Sequence, residues 1–149
     1  MNQREAFAAN FRELHPKFSR LHTQMLGRVD LTLPQYSLLC QLMLLGTVSM
    51  TEISSRLAIT KPAVTNLVDR LEQKKFLKRL PDTHDRRVIH LEILSKGKKV
   101  VSAIQEEGLA ILLKAYDQFS ASENGTIGRF YAALSKVLDV CSSRSKNAR

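Results

Sequence analysis

A mainly α fold with one small β-hairpin is predicted for this chain of 149 residues. Three observations predict it. Apolar residues recur at helical spacing along most of the length. Three helix starts are written as capping boxes, a Ser or Thr followed three residues later by Glu or Gln: Thr32 with Gln35, Ser49 with Glu52, and Ser120 with Glu123. The apolar period switches from 3.6 to 2 at Val88–Ile93, where a strand must lie.

The first helix is expected from about Arg4 to Gly27. Phe7, Phe11, Leu14, Phe18, Leu21 and Met25 alternate four and three apart, a narrow seam suited to packing on another helix. Pro16 interrupts it and is expected to kink or divide the helix, because proline removes a backbone donor. The second helix is expected from Leu33 to Leu45, ending at Gly46, and the third is short, Met50 to Leu57. The fourth starts after Thr60 and runs to about Lys75, with Val64, Leu67, Val68 and Leu71 as its buried stripe. A strand candidate at Leu77–Leu80 precedes the one at Val88–Ile93, in which Ile89, Leu91 and Ile93 share a face. Pro81 to Arg87 is the polar loop between them. The fifth helix follows Ser95, with Val101, Ile104, Gly108, Ile111, Ala115 and Phe119 on one face. The sixth carries Ile127, Tyr131, Leu134, Leu138 and Cys141.

Composition narrows the function. The chain is 44% hydrophobic and 25% charged, enough to bury a core and stay in solution. No run approaches the roughly 20 apolar residues of a membrane span, and the N-terminus lacks a signal-peptide hydrophobic segment. A cytoplasmic protein is expected, with no membrane partner. The net charge is +9, and its placement matters more than its size. Twelve of the 23 Lys and Arg, but only five of the 14 Asp and Glu, lie between Arg56 and Lys99. Such a concentration points to a polyanion.

That segment is also where two helices meet across Ala58-Ile59-Thr60, a helix-turn-helix pattern. The outer face of the second of these helices holds Lys61, Pro62, Thr65, Asn66 and Asp69, with Arg70 at its edge. Thr65 and Asn66 suit base edges in a major groove, the methyls of Ala63 and Thr65 suit thymine methyls, and Lys61 suits a phosphate. The basic hairpin follows at once, with Arg86 and Arg87 at its tip, and arginine enters narrow minor grooves readily. Asp85, two residues before Arg87, could pair with it and fix its direction. A winged helix-turn-helix core flanked by N- and C-terminal dimerisation helices is therefore the expected architecture. Residues 1–31 form the first dimerisation helix, 32–95 the DNA-binding domain, 96–142 the C-terminal dimerisation helices and 143–149 a disordered tail. A two-fold dimer sets two recognition helices about one DNA turn apart.

Met50-Thr51-Glu52-Ile53-Ser54, Leu57, Thr60 to Glu72, Arg79 to Arg87, and Leu91 to Gly97 resemble the MarR family of transcriptional regulators, as does Leu31 to Tyr36. The resemblance implies a homodimer formed by the first, fifth and sixth helices, a pseudo-palindromic double-stranded DNA operator, and release or reshaping by an effector. It implies a repressor and a small aromatic or phenolic effector in the dimer cleft, with His22, Tyr36 and Cys40 as lining residues. Tyr36 read by itself is equally a core aromatic with its hydroxyl at the surface.

Other readings have less behind them. His15 and His22, seven apart, could form a metal site with a carboxylate or Cys40, but no zinc-motif spacing is present. No metal and no cofactor are expected. Cys40, between Leu39 and Leu42, reads as a buried thiol, and neither it nor Cys141 stands where redox-sensing relatives carry their reactive cysteine. An architectural DNA binder without effector, and a redox- or metal-responsive regulator, are the alternatives. No phosphate loop, Ser/His/Asp ordering or carboxylate cluster suggests an enzyme.

Overall fold

The computed structural model describes residues 2–147, with side chains through Cys141. The chain runs α1 (Gln3–Arg28), α2 (Leu33–Leu45), β1 (Val48–Ser49), α3 (Met50–Leu57), α4 (Lys61–Gln73), β2 (Leu77–Pro81), β3 (Ile89–Ile93), α5 (Ser95–Tyr116) and α6 (Ala121–Asn147). The predicted fold class is the one observed, mostly helical with a small sheet.

Local chemistry sets the boundaries. Thr32 and Gln35 exchange both bonds of their capping box, the Gln35 N–H donating to Thr32 Oγ1 and the Thr32 N–H to Gln35 Oε1. Ser120 and Glu123 do the same. The third box forms only halfway. Ser49 accepts from the Glu52 N–H at 3.1 Å, while the Glu52 carboxylate turns to Arg56, 2.8 Å away. A box the sequence reading did not include, Asn2 with Glu5, starts α1.

Pro16 does not divide α1, which is one helix from Gln3 to Arg28. The proline removes a single backbone donor, and every residue around it is exposed, so water satisfies the freed carbonyl. α6 continues to Asn147, because no Gly or Pro stands after Cys141 to stop a helix already nucleated. Residues 148–149 lie outside the described residues.

The sheet has three antiparallel strands in the order β1-β3-β2. The hairpin register pairs Leu77 with Ile93 and Pro81 with Ile89, and β1 adds Val48 opposite Leu91 on the other edge of β3. The core sits between this sheet and the surrounding helices. Leu38, Leu39 and Leu42 of α2, Ile53 of α3, Val64, Val68 and Leu71 of α4, and Leu77, Leu91 and Val101 are all but fully buried. Leu67, expected in the stripe of α4, is only half-buried.

One glycine is required by contact. A Cβ on Gly97 would lie 2.3 Å from the Phe76 carbonyl oxygen and 2.9 Å from Ile93 Cγ1. That carbonyl accepts the Leu94 N–H at 2.9 Å, so the start of α5 is seated directly on the turn after α4.

The two long outer helices stand apart from this core. Only Met25 and Leu26 of α1 are buried, while Phe7, Phe11 and Leu14 are exposed. In α6, Phe130, Tyr131, Val137 and Leu138 are exposed too. Phe7 meets Phe130 edge-on at 5.7 Å, which brings the two helices together. The end of α1 is tied down by two ion pairs, Arg28 to Glu107 of α5 and Asp30 to Lys74 after α4, each 2.6 Å.

Candidate nucleic-acid interface

The turn between α3 and α4 is locked by its own side chains. Ala58 takes a left-handed conformation, φ 53°. The Ser54 hydroxyl donates to the Ile59 carbonyl at 2.7 Å, and Thr60 caps α4 by accepting the Ala63 N–H. Pro62, in the first turn of α4, occupies a position where a missing N–H costs nothing. With Val64, Val68 and Leu71 facing the core, Lys61, Pro62, Thr65, Asn66 and Arg70 are exposed, and Ala63 is half-buried beside them. The Thr65 hydroxyl donates to the Lys61 carbonyl at 3.1 Å, so its oxygen is left to accept.

Asp69 departs from the predicted outer face. It is half-buried and bound to Arg79 of β2, 2.5 Å away. Arg79 also grips Glu72, and its backbone N–H donates to Glu72 Oε1 at 3.1 Å. This fork ties the hairpin to α4 and sets the angle between them. Replacing Arg79 by methionine keeps the stem but leaves two unmatched carboxylates on α4. The pair is partly exposed, so the expected loss is modest, about 1 kcal/mol in a denaturant titration. An unchanged denaturation midpoint would show that the fork carries no weight.

The tip of the hairpin is built by two aspartates acting on backbone. Asp82 Oδ1 accepts the N–H groups of His84 and Asp85, at 2.8 and 3.0 Å, and its Oδ2 meets His90 Nε2 at 2.8 Å. Those backbone donors, foremost Asp85's and then His84's, followed by the His90 bond, hold the Asp82 carboxyl down at about 2. Asp85 does not pair with the Arg87 guanidinium. Its Oδ1 accepts the Arg87 backbone N–H at 2.9 Å, because so short a side chain reaches its own main chain two residues on more easily than a long neighbour's end. Arg86 and Arg87 are exposed and form no ion pair among the described residues.

The expected effector residues come together only in part. The rings of His22 and Tyr36 meet edge-on, 5.3 Å between centroids. Both line an apolar cavity of about 310 Å³ between α1, α2 and α5, with Phe18, Met25, Ile104 and Gln105. Cys40 does not line it. The cysteine lies half-buried behind Tyr36, one helical turn along α2. Burial, reinforced by Cys40, pushes the Tyr36 hydroxyl up to about 12, and burial likewise raises the Cys40 thiol. His15 lies against Phe11 rather than His22, and no group of three or more metal-ligating side chains is gathered among the described residues. No helix among them is long and apolar enough to cross a membrane.

Arg79, Asp82 and His90 are the members of this surface that the sequence reading did not single out. Arg79 and Asp82 stand in the run that carries the family resemblance, but the Arg79 fork and the Asp82 bond to His90 join partners seven to ten residues apart.

A helix-turn-helix continued by a hairpin with a free basic tip defines the winged helix-turn-helix class. Residues 31–89 match the family model described as the MarR family. Over 112 residues the chain is 27% identical to YfiV of Bacillus subtilis, an HTH-type transcriptional regulator, covering 75% of this chain and 70% of that one. It is 34% identical over 87 residues to the repressor MdtR of the same organism, 56% of each chain. A structure of a mutant S. aureus MepR bound to an oligodeoxyribonucleotide superposes with a TM-score of 0.70 at 26% identity, over 91% of this chain and 97% of that one.

Proposed function

We propose that this chain is a homodimeric transcriptional repressor that binds a pseudo-palindromic operator, its affinity modulated by a small aromatic or phenolic effector. The observation that carries the reading is the free basic tip. Arg86 and Arg87 sit unpaired on a turn held by Asp82 and Asp85, and the same hairpin is clamped to α4 by Arg79. Rigid presentation of two unpaired cations beside the exposed face of Lys61, Thr65 and Asn66 suits one reader in the major groove and one in the minor. Arg70 stands at the edge of that face, in reach of the phosphate backbone. Action on chromosomal DNA places the protein in the cytoplasm.

The dimer is supported by the exposed apolar side chains of α1, α5 and α6, among them Phe7, Phe11, Leu109 and Leu138. So much apolar surface on long helices that contribute little to the core is the mark of an interface. The effector is supported by the cavity, which is apolar and has three polar groups at its wall, His22, Tyr36 and Gln105.

A mobility shift on the DNA upstream of the chain's own gene is expected to show a discrete complex containing two copies. Thermal unfolding in the presence of small aromatic acids is expected to rise in temperature for those that fill the cavity, and to stop rising when Met25 is widened to phenylalanine. Failure of every such acid to stabilise the protein would favour a DNA-binding dimer without effector.

A further inference from the structure

His90 lies in the middle of β3, opposite Leu80 of β2 and Ser49 of β1. Its ring and the Asp82 side chain are each under a third exposed. One carboxylate thus spans from strand to tip. Oδ2 meets His90, and Oδ1 holds the His84 and Asp85 N–H groups that shape the turn before Arg86 and Arg87.

The other charged groups around β3 are engaged elsewhere. On β3 itself Glu92 pairs with Lys78 of β2, 3.1 Å away. Arg79 of β2 is held by Asp69 and Glu72. On α3, Glu52 and Arg56 pair with each other. α2 and β1 bring no charged side chain, and the titratable groups of α2 are Tyr36 and Cys40. At the tip stand His84, Asp85, Arg86 and Arg87, all exposed. Asp82 is therefore the carboxylate within ion-pair reach of His90 among the described residues.

We propose that His90 is a positioning residue of the DNA reader and that, through its bond to Asp82, it makes DNA binding take up protons. The inference rests on the DNA-binding reading above. Neutral His90 donates an uncharged N–H from Nε2 to the Asp82 carboxylate, which stays ionised well above its low pKa. Protonated, it turns the same contact into a full ion pair, a stronger bond. The tip is then held more firmly in the shape that presents the two arginines. Protonation also adds a positive charge to the hairpin where phosphates approach. Both effects have one sign. Because the protonated form bonds Asp82 more strongly, the contribution is present while His90 carries the extra proton and is lost when it gives it up.

The test is fluorescence anisotropy with a labelled duplex from upstream of the chain's own gene, at fixed ionic strength, between about pH 8 and 6. Wild type is expected to bind roughly three- to tenfold tighter at the acid end. His90→Gln keeps a neutral donor toward Asp82 but cannot take up a proton, so whatever its affinity at the alkaline end it should lose most of the pH slope. His84→Gln, which changes the exposed tip histidine, should keep it. A His90→Gln slope equal to wild type overturns the proposal. A second readout needs no DNA. Amide exchange at His84 and Asp85, corrected for intrinsic rates, should slow toward pH 6 in wild type but not in His90→Gln. Flat protection in wild type also overturns it. Absence of DNA binding at every pH would sink the DNA reading alone, and the amide measurement would still decide the latch.

Discussion

Replacing Arg86 and Arg87 together by alanine is expected to lower affinity for operator DNA by about 10²- to 10³-fold, with no loss of folding stability. Both side chains are exposed and form no ion pair among the described residues, so their removal leaves no buried group unpaired there. The backbone bonds that shape the tip survive, since Arg87 donates to Asp85 through its main chain. The loss should be electrostatic in large part. The slope of log affinity against log salt is expected to fall by about two per hairpin, one for each cation withdrawn from the phosphate field. A double lysine variant separates charge from shape. It should keep the salt slope but recover only part of the affinity, because an ammonium lacks the planar fork that fits a narrow groove. Anisotropy titrations at several salt concentrations read both quantities. A double alanine variant that binds like wild type would mean that the hairpin does not touch DNA.

The helical framework was legible because its signals are local. Thr32, Ser49, Thr60 and Ser120 mark helix starts by bonds to residues only three positions on. β3 declared itself by the alternation of Ile89, Leu91 and Ile93, of which the last two are buried. β1 did not, since two residues have no period. Val48 and Ser49 become a strand only because folding brings them beside Leu91 and His90. Gly97 is the same kind of case. Nothing near it in sequence requires a glycine; the Phe76 carbonyl, twenty-one residues earlier, does.

The site divides along the same line. The outer face of α4 was readable from helical periodicity, given where its apolar stripe lay. Asp69 was misplaced because its partner, Arg79, sits on a strand, and no helix spacing relates the two. The tip was readable as basic but not as built. Asp85 looks like a partner for the arginine beside it, yet its Oδ1 goes to the Arg87 backbone N–H, while Asp82 holds two backbone N–H groups with one oxygen and His90 with the other, and neither pairs with a guanidinium. For a DNA reader that difference matters, because a guanidinium already neutralised by a carboxylate has less to offer a phosphate.

Truncating Leu71 to alanine is expected to lower stability by about 2–5 kcal/mol, the usual cost of a large-to-small change in a core that cannot collapse. Leu71 is 0% exposed, on the inner face of α4. Its backbone carbonyl accepts the Phe76 N–H at 2.9 Å, in the turn on which α5 is seated. The position therefore joins α4, the hairpin and the start of α5. Leu44, 77% exposed at the end of α2, is the contrasting site. The same truncation there should change stability by no more than about 0.5 kcal/mol. Thermal unfolding at one fixed protein concentration reads the difference, since dimer dissociation makes the midpoint depend on concentration. Leu71→Ala should melt roughly 5–20 °C below wild type, and Leu44→Ala within a degree or two of it. Below its own midpoint the Leu71 variant should also bind DNA more weakly, although residue 71 touches no DNA. Val64 and Val68 hold the same face of α4, and a void beside them lets the helix tilt under Lys61, Thr65 and Asn66. Equal melting of the two variants would place the centre of the core elsewhere than between α4 and the sheet.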